Sequence, residues 1–221
     1  MVITIDGPAG SGKSTAARGL AEALGIAFLD TGATYRAVTL KALRAGVDLD
    51  DEAALAATAR AADIRLERDD AGRLRVVLDG SDVTADIRSE EVSAAASRIA
   101  AAPAVRGVLV DLQRRIGRQL GSFVAEGRDQ GSVVFADADV KFFLVARDEE
   151  RARRREADLR AAGRPARFGD VLDSLRRRDR RDSTRAAGPL VKPPGAVEID
   201  TTGNTIEQTR QQLLRHVESA R

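Results

Sequence analysis

The sequence predicts an α/β fold in which a parallel sheet of about five short strands is flanked by helices. Three observations favour this class. Short apolar runs recur along the chain, and the segments between them repeat their apolar residues at helical spacing. The third observation is the size of the chain, since 221 residues of which 43% are hydrophobic can bury one core. Only 3% of the residues are aromatic, so we expect an aliphatic core in one domain that carries insertions.

The first elements follow strand-helix order. "VITI", ended by Asp6-Gly7, reads as a strand, and "KSTAARGLAEAL" repeats its apolar residues as a helix does. "IAFLDTG" predicts a second strand, and "ATYRAVTLKALRAG" a helix that ends at Gly46. "DDEAALAATARAA" is typical of a further helix, because acidic residues occupy its first turn.

The period then changes over "DIRLERDDAGRLRVVLDGSDVT", where apolar and polar residues alternate around Asp70-Ala71-Gly72. Alternation about a glycine-containing turn predicts a β-hairpin, so residues 63–85 or so form a small inserted subdomain. Helices are expected in "SEEVSAAASRIAAA" and, after Pro103, in "PAVRGVLVDLQRRIGRQ". "SFVAEG", "VKFFLVA" and "AVEID" complete the parallel sheet.

The stretch "GPAGSGKST" links the first strand to the first helix and fits the pattern G-x-x-x-x-G-K-[ST]. Its glycines let backbone N–H groups turn toward phosphate, Lys13 adds a cation, and the Ser14 hydroxyl is a ligand for Mg²⁺. An ordinary glycine-rich turn is the alternative, but the strand before and the helix after favour a phosphate loop of the P-loop NTPase type. We therefore expect ATP to bind Gly7, Pro8, Ala9, Gly10, Ser11, Gly12, Lys13, Ser14 and Thr15.

Composition narrows the remaining chemistry. There is no cysteine, and the single histidine, His216, is expected on the surface of a polar C-terminal helix. The net charge is +2, and basic residues are not interleaved with aromatic ones, so we expect no nucleic-acid partner. No apolar run of about 18 residues and no signal segment is present, which predicts a cytoplasmic protein without a membrane partner. No apolar stripe is left over, so we expect a monomer.

Residues 147–185 contain 14 Arg against 9 Asp plus Glu. For most of these arginines we expect a solvated pair of helices with i,i+4 salt bridges. In "RDRRDSTR", however, Arg178, Asp182 and Arg185 share one face at helical spacing. Such a concentration of guanidinium groups predicts an Arg-rich lid that closes over the nucleotide.

Three further clusters point to a second substrate: "DTGATYR" at 30–36, "SRIAAAPAVR" at 97–106 and "EGRDQGSVVF" at 126–135. The first and third follow predicted strands, and the carboxyl ends of parallel strands line one crevice. Taken alone, Tyr35 is as well explained as a core residue and Arg36 as a surface residue. Together the clusters place these side chains beside the phosphate loop: Tyr35, Arg36, Arg106, Arg128 and Asp129.

The ordered set of motifs resembles the bacterial cytidylate kinase family over essentially the whole chain. The resemblance is carried by "ITIDGPAGSGKST", "LDTGATYRA", "AASRIAAAPAVR", "EGRDQGSVVFADADVKFFL" and "RDRRDSTRAAGPL". The hairpin resembles the extra subdomain of that family. The resemblance implies a single domain with its core at about 1–35, 103–146 and 186–221, an acceptor-binding region at about 36–102 that contains the hairpin, and a lid at about 147–185.

The resemblance also implies the reaction and the roles of residues. ATP, bound with Mg²⁺ at Ser14, would give its γ-phosphoryl group to CMP or dCMP. Ser14 replaces a glycine of other members, so its role as a ligand is not inherited from all of them. Four residues would hold the acceptor: Thr31, Tyr35, Arg36 and Arg128. Three would read the cytosine: Ser97, Arg106 and Asp129. Near the acceptor phosphate and ribose would lie Arg178, Asp182 and Arg185. The catalytic cations would be Lys13, Arg128, Arg178 and Arg185.

Three other functions compete with this interpretation. A GTPase switch needs an Asn-Lys-x-Asp guanine reader, but the only asparagine, Asn204, is followed by Thr205. A kinase of another small acceptor, such as UMP or shikimate, keeps the same phosphate loop. A regulatory ATP-binding protein would bind ATP without turnover.

Overall fold

Five parallel strands form the main sheet in a computed structural model that describes residues 1–68 and 74–220. They are β1 (Val2–Asp6), β2 (Ala27–Asp30), β6 (Phe123–Gly127), β7 (Val140–Val145) and β8 (Val197–Asp200). The spatial order is β2-β6-β1-β7-β8, so β1 is central and has parallel neighbours on both sides. The five predicted strands and the α/β class are confirmed. A parallel sheet gathers the carboxyl ends of its strands at one edge, where Asp6 and Gly127 stand side by side in register.

One or more helices separate most consecutive strands of this sheet along the chain. Their bounds are α1 (Lys13–Leu24), α2 (Thr31–Arg44), α3 (Glu52–Arg60), α4 (Glu90–Ile99), α5 (Pro103–Leu120), α6 (Asp148–Ala161), α7 (Phe168–Thr184) and α8 (Ile206–Ser219). Helix α2 begins two residues earlier than the sequence predicts. The Asp30 carboxylate caps it by accepting the Ala33 N–H at 3.0 Å, which ends the strand at the same residue.

Contacts divide the chain into two compact units. The first contains residues 1–28 and 120–221. Its core is mainly aliphatic, as predicted, with Phe142 as a fully buried aromatic member. Ile3, Ile5 and Leu144 of the sheet, Leu20 of α1 and Leu213 of α8 are also fully buried. No helix in the described part of the chain is long and apolar enough to cross a membrane.

The second unit contains residues 29–119. Helices α2 to α5 surround a core that includes Val38, Leu55 and Leu109, each at most 1% exposed. The predicted hairpin is present as β3 (Ile64–Arg68) paired antiparallel with β4 (Leu74–Leu78). Its predicted turn at Asp70-Ala71-Gly72 lies outside the described residues. A short third strand, β5 (Ser81–Asp82), pairs with β4 after a turn at Asp79-Gly80 and was not predicted.

Candidate active site

Residues 7–12 form the loop that joins β1 to α1, and the predicted phosphate loop Gly7–Thr15 also includes the first turn of α1. Gly7 has φ 148°, and a Cβ at this position would collide with the Leu144 carbonyl oxygen of the neighbouring strand. Only glycine therefore lets the chain turn this close to the sheet. Helix α1 begins at Lys13 behind Gly12, which has no side chain to cap the helix. Its first backbone N–H groups and the positive end of its dipole are thus available to an anion.

Lys13 is buried inside this loop. Its side chain is 4% exposed, and the ammonium donates to the Pro8 carbonyl oxygen at 2.6 Å. Burial, together with the nearby Arg128 guanidinium, lowers the pKa of Lys13 to about 7, against the attraction of Glu126. Because water is largely excluded from the ammonium, it interacts strongly with any anion that binds beside it.

Two carboxylates that sequence reasoning missed end the strands beside the loop. Asp6 is fully buried and accepts the N–H groups of Gln130 at 2.9 Å and Gly131 at 2.8 Å, which fixes a π-helical turn at Gln130–Val134. Burial raises its pKa to about 6, against these two hydrogen bonds. Glu126 accepts from the Ser14 hydroxyl at 2.7 Å. An acidic residue that closes an apolar strand at the carboxyl edge is the signal that would have found both.

Arginines converge beyond the same edge. Arg128, just after β6, donates to the buried Asp182 carboxylate at 2.9 Å. Arg178, one turn before Asp182 on α7, lies 3.9 Å from the same carboxylate. Arg185 lies 3.6 Å from Asp129, and both side chains are at most 5% exposed. The structure therefore brings together five predicted site residues of the first unit: Arg128, Asp129, Arg178, Asp182 and Arg185.

One expectation about the Arg-rich segment needs correction. Helix α7 ends at Thr184, so Arg185 has extended backbone and is placed by the loop, where it donates to the Gly188 carbonyl oxygen at 2.6 Å. It does not share the helical face of Arg178. Most arginines of the segment are exposed to solvent, as expected. Arg160 fits that description, with a side chain 64% exposed and paired to Glu156, but Arg151 is only 3% exposed.

In the second unit, three predicted residues lie on the first turns of α2. Thr31 and Tyr35 are buried, and the Arg36 guanidinium pairs with the Asp30 carboxylate at 2.8 Å. Gln113 of α5, which the sequence did not single out, donates to the Thr34 hydroxyl at 2.9 Å. Arg36 is thus held by the residue that caps its own helix and is not a free surface side chain.

Arg106 and Ser97 complete the predicted set in this unit. Arg106 of α5 is 4% exposed, stacks over the Tyr35 ring at 5.7 Å and donates to the Ala100 carbonyl oxygen at 3.2 Å. Ser97 of α4 is 7% exposed, and its buried hydroxyl has no hydrogen-bond partner among the described residues. A buried hydroxyl without a partner costs free energy unless something polar binds it, so Ser97 is suited to a ligand.

A glycine loop between a central parallel strand and a helix, with a buried lysine and a cluster of arginines, defines an α/β nucleotide-binding phosphotransferase of the P-loop class. The sequence model of the family described as cytidylate kinase matches residues 3–219. The chain belongs to the cytidylate kinase family.

Individual proteins agree with this family. A cytidylate kinase of Pelotomaculum thermopropionicum is 49% identical over 219 residues, which cover 99% of this chain and 96% of that protein. A cytidylate kinase of Symbiobacterium thermophilum is 48% identical over 216 residues, which cover 98% and 95%. Among solved structures, an uncharacterized protein from Eubacterium ventriosum superposes with a TM-score of 0.52 at 14% identity and covers 99% of both chains. That likeness concerns the fold alone.

Proposed function

We propose that the protein transfers the γ-phosphoryl group of ATP to CMP or dCMP, giving ADP and CDP or dCDP. The observation that carries this proposal is the family match over residues 3–219, supported by curated cytidylate kinases 46–49% identical over nearly the whole chain. The phosphate loop, the buried Lys13 and the arginine cluster supply the chemistry that such a transfer requires. No structural observation favours UMP or shikimate as the acceptor.

The side chains act mainly by neutralising charge. The acceptor phosphate is already an anionic nucleophile, so its oxygen attacks the γ-phosphorus without needing a protein base. Two anions must approach each other, and we assign the compensating charge to four cations: Lys13, Arg128, Arg178 and Arg185. Asp182 orients Arg128 at 2.9 Å, and Asp129 lies beside Arg185 at 3.6 Å. Such pre-organised cations lower the barrier most when charge builds up in the transition state.

The residues at the loop also fit Mg²⁺ as a companion of ATP. Mg²⁺ prefers oxygen ligands and keeps several waters. The Ser14 hydroxyl and the Glu126 carboxylate provide such oxygens 2.7 Å apart. We propose that Ser14 ligates the ion and that Glu126 positions Ser14. The bound ion would neutralise charge on the transferring phosphoryl group.

The proposed function is tested by coupled ADP release with an acceptor panel at equal concentrations: CMP, dCMP, UMP, AMP, GMP, dTMP and shikimate. We expect CMP or dCMP to give the highest kcat/KM. A higher kcat/KM for another acceptor would overturn the cytosine assignment. Binding of ATP without ADP release for any acceptor would identify a regulatory nucleotide-binding protein instead.

The lid residues give a prediction of their own. We propose that residues 147–185 form the lid, and we expect Arg178→Ala and Arg185→Ala each to lower kcat/KM for the acceptor by more than about tenfold, the effect of one lost charge-assisted hydrogen bond. Arg160→Ala is the matched control, since that side chain is 64% exposed and pairs within its own helix. Steady-state kinetics at saturating ATP measure the difference. Equal losses at all three positions would favour a charged surface without a catalytic role.

The lowered pKa of Lys13 predicts that nucleotide binding takes up a proton. In the free protein Lys13 loses its proton near pH 7, whereas the bound phosphates favour the charged ammonium and raise its pKa. At pH 8, ADP binding should therefore be accompanied by net proton uptake, and affinity should fall as the pH rises from 7 to 9. Calorimetry in buffers of different ionisation enthalpy measures the uptake. Uptake that persists in Lys13→Met would assign it to another group.

We further propose that the enzyme works as a monomer in the cytoplasm. The proposal follows the expectations from composition and the location of ATP, its phosphoryl donor. Sedimentation equilibrium tests the oligomeric state: a single species near the chain mass of 23.6 kDa is expected, and a stable dimer would contradict it.

A further inference from the structure

Ala9 lies in the phosphate loop, and both its backbone N–H and its carbonyl oxygen are hydrogen-bonded by an ion pair of the proposed lid helices, α6 and α7. Its N–H donates to the Asp179 carboxylate of α7 at 3.2 Å. Its carbonyl oxygen accepts from the Arg151 guanidinium of α6 at 2.7 Å. Arg151 and Asp179 also bind each other at 2.5 Å. Neither residue was singled out by the sequence or used in the proposed reaction.

The Arg151–Asp179 ion pair is largely buried and is supported by further contacts. Arg151 is 3% exposed and also donates to the Asp148 carboxylate at 2.5 Å, which Arg176 holds from α7 at 3.0 Å. Beneath it, Ala9 packs in one apolar cluster with Ala152, Val171 and Leu175. A charge this deeply buried has few alternative partners, so the guanidinium is fixed where it is.

The planarity of the peptide bond then sets the direction of the next amide. In a trans peptide the C=O and the N–H point in opposite directions. The Pro8 carbonyl accepts from Lys13 while the Ala9 N–H faces Asp179, so Lys13 and Asp179 lie on opposite sides of the loop. The Ala9 carbonyl faces Arg151, on the Asp179 side. The N–H of Gly10 must therefore point to the side of the Lys13 ammonium.

Gly10 also allows helix α6 to lie close to the phosphate loop. Its φ is 77°, and a Cβ there would lie 3.1 Å from the Cβ of Arg151. A side chain at residue 10 would thus both strain the backbone and displace Arg151. The glycine and the ion pair together determine where this amide points.

We propose that Arg151 and Asp179 are positioning residues which aim the Gly10 amide at the phosphates of the donor nucleotide. The proposal rests on the proposed function for the identity of the nucleotide. The ion pair links the lid helices to the phosphate loop through two consecutive peptide groups, Pro8–Ala9 and Ala9–Gly10. When the pair is broken, the Gly10 amide loses its orientation and the donor phosphates lose one backbone hydrogen bond.

The test compares Asp179→Asn and Arg151→Lys with wild type. Arg151→Lys keeps the charge but removes the guanidinium that joins Ala9 to Asp179, and Asp179→Asn keeps the size but removes the charge and one of the two oxygens that bind the Ala9 N–H and Arg151. We expect kcat/KM for ATP and the affinity for ADP each to fall roughly tenfold, with KM for CMP changed less than about threefold. In the double variant the loss should stay close to that of the worse single variant, because one unit is being broken.

A structural role alone would give a different pattern. It would lower the melting temperature and the active fraction while leaving KM for ATP and the ADP affinity of the folded protein unchanged. The Gly10 amide resonance of ¹⁵N-glycine-labelled protein with ADP bound gives a second readout, and it should shift in both variants. The matched control is Arg160→Ala, which removes an exposed ion pair on the same helix.

Two outcomes would overturn the proposal. Unchanged ADP affinity in folded Asp179→Asn would show that the loop keeps its geometry without the pair. Tighter ADP binding would show that Asp179 competes with phosphate for the Ala9 amide. Since ADP binding is measured directly, these results are distinguishable from a failure of CMP as the acceptor, which affects turnover only.

Discussion

Replacing Lys13 by alanine should lower kcat by at least about 10³-fold while the protein stays folded. The ammonium is held dry inside the phosphate loop, where its attraction for the transferring phosphoryl group is strong and is greatest as charge develops. Among the described residues, the ammonium donates to the Pro8 carbonyl oxygen at 2.6 Å and to the Ser11 hydroxyl at 3.5 Å. Its removal therefore takes away a cation that the transition state uses.

The stability of Lys13→Ala follows from the sign of the pKa shift. Burial lowers the pKa of Lys13 to about 7, so below pH 7 the folded protein carries a buried charge that the unfolded chain keeps in water. Wild type thus gains stability from this group as the pH rises from about 7 toward the ordinary lysine value. At pH 6 Lys13 does not yet supply this stability, so its replacement by alanine costs none of it. The melting temperature of the variant should then be equal to or above that of wild type.

Single-turnover kinetics and thermal melting measure these two effects. Lys192→Ala is the matched control, because Lys192 forms an exposed ion pair with Glu198 at 3.4 Å, away from the phosphate loop in sequence. It should leave kcat unchanged. Near-normal turnover by a folded Lys13→Ala protein would contradict the assignment of residues 7–15 as a phosphate loop.

Asp129→Ala should lower the ratio of kcat/KM for CMP to that for UMP by roughly 10- to 100-fold, mainly by reducing the value for CMP. Cytosine offers an N4 amino donor where uracil has an O4 acceptor, and a carboxylate can accept only from the former. We propose Asp129 as that acceptor. Its carboxylate is 3% exposed, so a mismatched partner there would be poorly compensated by water.

The ratio of kcat/KM for CMP to that for UMP separates recognition of the base from the contact of Asp129 with Arg185. The carboxylate lies 3.6 Å from Arg185, and losing that ion pair harms both substrates equally. The effect of Arg185 therefore cancels when CMP is compared with UMP. Equal losses for the two acceptors would make Asp129 a support for Arg185 and would remove it from cytosine recognition. Arg185→Ala should lower both values without changing their ratio.

Local patterns explain why the strands and helices were predictable. The strands of the main sheet contain short apolar runs, most completely buried in the central β1, and most of the helices repeat their apolar residues at the helical period. The loop Gly7–Thr15 is also local, since its strand, its glycines and its lysine are contiguous. Where prediction was inaccurate, contacts that are not local were responsible. Strand β5 forms only because β4 supplies its hydrogen bonds.

The candidate site residues divide in the same way. Those found from sequence belong to contiguous motifs, such as "DTGATYR" and "RDRRDSTR". Asp6 and Glu126 were missed because each looks like an ordinary strand end, and their roles come from residues 124 and 112 positions away. Arg151 was one of 14 arginines in its segment, and nothing in the sequence distinguishes it from the exposed Arg160.

The sequence by itself determined the α/β class, the phosphate loop and the family, because these depend on periodicity and on motifs a few residues long. Only the tertiary structure decided which charged side chains are buried and which carboxylate each arginine binds. Burial and pairing depend on segments that are distant in the chain, as with Ala9, Arg151 and Asp179, which meet across 142 and 170 positions. The cost of burying an unpaired charge makes that pairing specific, and it becomes visible only when the chain is folded.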